Sequence, residues 1–285
     1  MNTQTIKSNR AAIFLTGILA GLFILTYFPV LKGLILTWIN SDEYSHGFFV
    51  IPISCYLIWK KREILREREL SASWKGLILV IFCLLFYVFA YVAEIATLAS
   101  LSLILFLASV IIFFYSFSVL KELSFPLIFL MFMIPIPAQI YSQLTVPLQL
   151  FVTKVSVWFT AHLGIPIYRE GNVIHLPGQT MEVARACSGL RSMISILPLA
   201  AILSYFTLRS NPLKCILFLS GIPAAIVVNI VRVVLLVGAF YYFGFDLTAG
   251  IAHTISGIFI FLLAVSCLVA ARGILSKWDL RCTEK

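Results

Sequence analysis

Apolar residues run along this chain in blocks long enough to cross the hydrocarbon of a bilayer, and polar residues gather between them. A helix needs roughly 20 apolar residues for that crossing. Eight stretches come near this length, at residues 11–31, 47–59, 76–96, 98–118, 124–138, 187–207, 213–237 and 250–271. The second and fifth are short and hold Pro52, Pro135 and Pro137, which predicts tilted or broken helices there. Between the fifth and sixth blocks, IYSQLTVPLQLFVTKVSVWFTAHLG has apolar residues at helical spacing with polar ones among them. It reads as an amphipathic helix lying on or dipping into the membrane. The next stretch, IPIYREGNVIHLPGQTMEVARA, alternates in short runs around Gly171, Pro177 and Gly178 and predicts a small hairpin above the outer membrane surface. The expected fold is all-α: a polytopic membrane helical bundle of about eight transmembrane helices, with a small extracytoplasmic hairpin and an amphipathic helix.

Composition agrees with the pattern. The 285 residues are 61% hydrophobic and 12% charged, where a soluble domain is about half apolar and a quarter charged. No linker or low-complexity tract divides the chain and no solenoid-length repeat is visible, so residues 1–285 read as a single integral membrane domain. Lys7 and Arg10 precede a first apolar run that is longer than a signal-peptide core and has no small-residue cleavage site after it, which makes it a retained span.

The formal net charge of +9 would invite a nucleic-acid reading in a soluble protein. Here no basic stripe is interleaved with aromatics on a polar face, and basic residues are what hold cytoplasmic loops against anionic lipid. With the N-terminus inside and eight alternating spans, 15 of the 21 Lys and Arg fall on the inner face. Only Lys32, Lys154, Arg169, Arg185, Arg191 and Arg232 fall outside. The asymmetry favours cytoplasmic N- and C-termini.

Ionisable residues within membrane helices are costly and mark function by default. The topology gathers three at the outer face: Cys187 in ARACSGLRS, Arg232 in NIVRVV and His253 in GIAHTISG, on three helices at similar depth. A thiolate, an imidazole and a guanidinium together suit acyl transfer: nucleophile, proton carrier and oxyanion stabiliser. Of the six cysteines, Cys187 alone is expected at the outer face, and there is no CxxC. It also opens a helix, whose dipole favours a thiolate. The plainer readings are a packing cysteine, a snorkelling arginine and a histidine bonded between helices. The polar run around Cys187 and the placement of Asn229 three residues before Arg232 weigh toward function. Arg191, Glu182, Tyr44, His46 and Asn229 are candidate substrate-binding residues. No metal site or cofactor is expected.

Six segments carry a resemblance: YSHGFFVIPIS near 44, FPLIFLMFMIPIP near 125, GNVIHLPG near 171, ACSGLRS at 186, NIVRVV at 229 and AHTISG at 252. In this order the chain resembles the exosortase/archaeosortase family over roughly residues 42–260. The resemblance implies a catalytic core at about 124–260, with a nucleophile at Cys187, an arginine at Arg232 and a histidine at His253. It implies a membrane-embedded cysteine protease or transpeptidase in the cytoplasmic membrane. Its partners would be exported proteins ending in a Pro-Glu-Pro-type motif, a transmembrane helix and a basic tail. Two other functions compete: a transporter or flippase with Arg232 and His253 lining a polar path, and a non-catalytic assembly component of an exopolysaccharide system. No inverted repeat supports the former. HExxH and GxSxG are absent, which weighs against metalloprotease and serine-protease chemistry.

Overall fold

The computed structural model describes residues 3–66, 73–182, 190–244 and 250–283. The chain divides into two compact units, residues 1–135 and 136–285. Among the described residues seven helices are long and apolar enough to cross a membrane, and the chain is a multi-pass membrane protein. Its large apolar side chains face outward in number: Leu25, Phe49, Trp74, Val92, Phe117 and Phe243 are each about 70–80% exposed. In water such a surface would aggregate; in hydrocarbon it is the solvated surface.

In the first unit, α1 (Thr3–Asn40) buries Tyr27, Val30, Leu34 and Trp38, a single face at helical spacing. Helices α4 (Trp74–Val92) and α5 (Ala96–Phe114) form a tight antiparallel pair. Gly76 makes this possible, because a Cβ there would run into the Phe113 backbone. The turn between them is a Schellman motif: Glu94 N donates to Tyr91 O at 3.1 Å and Ile95 N to Ala90 O at 3.0 Å.

The two proline-bearing segments run side by side through this unit. Helix α2 (Gly47–Lys60), followed by the single turn α3 (Arg62–Arg66), packs against α7 (Ser124–Phe129) and a 3₁₀ turn, Leu130–Met133, which follow the short helix α6 (Phe117–Glu122). Side chains fill the backbone gaps of the broken segment. Lys61 Nζ donates to Glu122 O at 2.6 Å, Ser54 Oγ to Pro126 O at 2.8 Å and Trp38 Nε1 to Met133 O at 3.0 Å. His46 Nε2 lies 3.1 Å from Phe132 O. Met133 O needs an outside donor because Pro137, four residues on, has no N–H. The broken segment thus completes its backbone bonding with side chains borrowed from its neighbours.

The second unit holds α8 (Ala138–His162), strands β1 (Tyr168–Glu170), β2 (Val173–Leu176) and β3 (Gln179–Glu182), and helices α9 (Leu190–Thr207), α10 (Asn211–Phe243) and α11 (Gly250–Thr283). The predicted hairpin is a three-stranded antiparallel meander. Gly171 and Gly178, at φ 64 and 83, supply the left-handed positions of its two-residue turns. Ile174, Leu176 and Met181 form its inner face and pack on Val152 of α8 and on Val233 and Val237 of α10.

Helix α8 differs from its expectation in orientation. It is amphipathic, but Thr145, Gln149, Thr153, Ser156 and Thr160 are buried, while Leu144, Val146, Phe151, Trp158 and Phe159 are exposed. The polar face turns into the protein and the apolar face outward, the reverse of a helix resting on a membrane surface. Thr145, Thr153 and Thr160 satisfy their hydroxyls on carbonyls one turn earlier in α8. At the far end of the unit, buried Asp279 of α11 accepts from Arg209 N at 2.7 Å and from Ser210 N at 3.1 Å. It thereby caps the start of α10 with a carboxylate from another helix.

Candidate functional site

Helices α9, α10 and α11 make up the centre of the second unit, and two registers set what they bring together. Gly221 of α10 leaves only van der Waals room against Leu197 and Ala200 of α9, and Ile196 and Ala200 cluster with Ala225 and Val228. This antiparallel alignment sets Leu190, the first described residue of α9, opposite Val231. On the other side, Val228 and Ala225 pack with Ile260, Ala264 and Leu268 of α11. Carried toward the strand end, the same alignment sets position 253 opposite Ala239.

Arg232 lies within this arrangement. It is buried, with a relative exposure of 6%, and Asn229 one turn before it is fully buried. Arg232 lines a cavity of about 470 Å³ between α10 and α11. Leu235, Leu236 and Ala239 form its α10 wall, and Ile255, Ser256, Phe259 and Ile260 its α11 wall. Arg232 thus borders a pocket whose surface is almost wholly apolar, a setting in which a charge is felt strongly. Position 253 is one turn before Ser256, in the first turn of α11. Ala239 is seven positions beyond Arg232, so 253 is about 10 Å further along the helix axis than Arg232.

Cys187 lies outside the described residues. His253 is described as part of α11, and Glu182 as the last residue of β3, paired with Val173. Arg191 is half-buried in the first turn of α9, and the register sets it beside Ile230. These positions, with Asn229 and Arg232, all belong to the second unit. Tyr44 and His46 belong to the first. There Tyr44 is buried, and its ring centroid is 6.4 Å from that of His46. Burial pushes the His46 imidazole below its ordinary pKa, against hydrogen bonds to the carbonyls of Phe132 and Glu43 that favour the charged form.

Sequence alone does not single out the apolar cavity wall. Its signal is the spacing 232, 235, 236, 239 on one helix and 255, 256, 259, 260 on the next, which looks like any packed helix face. Ser256 is the wall's one polar residue besides Arg232. Among the described residues no cluster of His, Cys, Asp and Glu could hold a metal ion, and Cys55, Cys83, Cys215 and Cys267 are free thiols on helices α2, α4, α10 and α11.

Compared with known proteins, the chain matches the model of one family, described as transmembrane exosortase, over residues 38–270. No curated protein matches it, and neither does any solved structure.

Proposed function

The chain belongs to the transmembrane exosortase family, and from that premise we propose that it is a membrane-embedded cysteine protease or transpeptidase. Its substrates are exported proteins with a C-terminal signal of motif, membrane helix and basic tail, cleaved at the outer face of the cytoplasmic membrane. Cys187 is the nucleophile. Its thiolate attacks the scissile carbonyl, and the oxyanion that forms is stabilised by Arg232. His253 delivers a proton to the departing amine as the C–N bond breaks, leaving a thioester on Cys187. Water or an acceptor amine then attacks the thioester. The product is a free carboxylate or a new amide, and the thiol is restored.

The observation that carries this reading is the buried Arg232 at the head of an apolar cavity walled by the first turns of α11. A buried cation beside an apolar cavity suits a charge that appears only during reaction. Chain connectivity adds a constraint. Leu190 is three positions after Cys187, a stretch that spans at most about 11 Å. The register sets Leu190 within one residue of Arg232's level. A peptide group with the reach of an arginine and a histidine side chain bridges the roughly 10 Å between Arg232 and position 253.

The test is processing of a co-expressed substrate that bears such a signal. Cys187→Ala is expected to leave the precursor uncleaved in the membrane, and Cys187→Ser to retain at most a small residue of activity. Full processing by Cys187→Ala would remove the nucleophile from the mechanism and favour a transport or assembly role.

A further inference from the structure

A second cavity, of about 690 Å³, opens in the first unit between α1 and the α4–α5 turn. Its floor is apolar and closely packed, with Val30, Leu34, Ala90 and Ala99 all buried. The Thr and Ser hydroxyls that line it are spent on backbone: Thr37 Oγ1 on Gly33 O at 2.9 Å, Ser100 Oγ on Ala96 O at 2.8 Å and Thr97 Oγ1 on Pro135 O at 3.1 Å. Among the described residues that line it, Glu94 is the only carboxylate.

Glu94 sits where a glycine is usual. It is the residue after the α4 cap in the Schellman turn, at φ 55, and is the one non-glycine residue with positive φ among those described. Such strain persists in ligand clamps more often than by accident. The conformation holds a carboxylate at the mouth of an apolar cleft, on a helix end whose dipole disfavours a negative charge. A cation brought by a ligand offsets the unfavourable charge at the helix end.

We propose that this cleft binds a membrane phospholipid whose headgroup carries a primary amine, with an acyl chain along the α1–α4–α5 floor and the ammonium on Glu94. The site owes nothing to the peptide chemistry of the second unit, so it stands or falls separately from the proposed activity.

The test uses the full chain, delipidated in a mild detergent and offered phosphatidylethanolamine, phosphatidylglycerol or phosphatidylcholine with identical chains, with bound lipid read by native mass spectrometry. The wild-type protein is expected to retain phosphatidylethanolamine about 10-fold better than the others, the worth of one charge-assisted hydrogen bond. Glu94→Gln removes that preference. Glu94→Gly removes it too, yet raises the melting temperature, because glycine takes the left-handed position without strain; the rise also shows that the variant is folded. Gly33 lines the cleft and an added Cβ there meets nothing within 4 Å, so Gly33→Leu extends a side chain from the rim and lowers retention of all three lipids. Equal retention of the three lipids by the wild type, a preserved preference in either Glu94 variant, or unchanged retention in Gly33→Leu would overturn the assignment.

Discussion

Arg232 is the residue whose environment asks most for an explanation. A guanidinium buried in the middle of an apolar helix has been drawn out of water at a cost. In the proposed chemistry the cost is recovered when an oxyanion forms in the cavity. Replacing Arg232 with Ala is therefore expected to slow processing by about 10²–10³-fold, with the precursor still co-purifying. Arg232→Lys restores the charge without the fork and should recover part of the rate. Single-turnover cleavage measured beside precursor pull-down separates the two effects; a variant that loses binding and keeps its rate would make Arg232 a docking residue. His46 gives a second test at this scale. Its pKa is lowered by burial, so between the ordinary histidine value near 6.5 and the lower native value the folded protein binds fewer protons than the unfolded chain. Stability then falls as pH falls through that window and is flat above it with respect to this group. His46→Gln should flatten the slope in thermal unfolding scans taken across that range; an unchanged slope would assign it to other groups.

At the scale of elements, close backbone approach and borrowed hydrogen bonds hold the first unit together. Gly76 against Phe113 is the tightest point of the α4–α5 pair, and Gly76→Ala forces the two helices apart. A loss of about 1–3 kcal/mol is expected, read as a drop in the unfolding midpoint in detergent, and a midpoint equal to wild type would mean that the helices separate freely there. The short segments at 47–59 and 124–138 can be read from sequence because proline and apolar run length are local signals. The seams that complete them, Ser54 to Pro126 and Trp38 to Met133, cannot, since they join residues 72 and 95 positions apart. Helix α8 shows the other limit. Its periodicity tells that one face is polar and the other apolar, but the spacing of residues along a helix does not say which side is protein. Only packing against α10 and the meander turns Thr153 and Ser156 inward. The meander itself is half-legible: its glycine turns are strong signals, yet a three-residue β1 is too short to show alternation.

For the molecule as a whole, the apolar exterior and the family match agree on a membrane-embedded exosortase. The all-α class follows from run length alone, because every backbone group in lipid must be bonded within its own element or a closed sheet. The candidate site is legible as three residue types in three apolar blocks. Its register is not, because the two-turn offset between Arg232 and position 253 arises from how α10 pairs with α11. The central claim is that a covalent acyl-enzyme forms on Cys187 within reach of both groups. Acid quenching of the protein during turnover of a co-expressed substrate, followed by peptide mass spectrometry, measures it most directly. The account predicts a hydroxylamine-labile adduct on Cys187 whose mass is that of the substrate ending at its sorting motif. An adduct on Cys55, Cys215 or another thiol, or cleavage at full rate with Cys187 never modified, would contradict it.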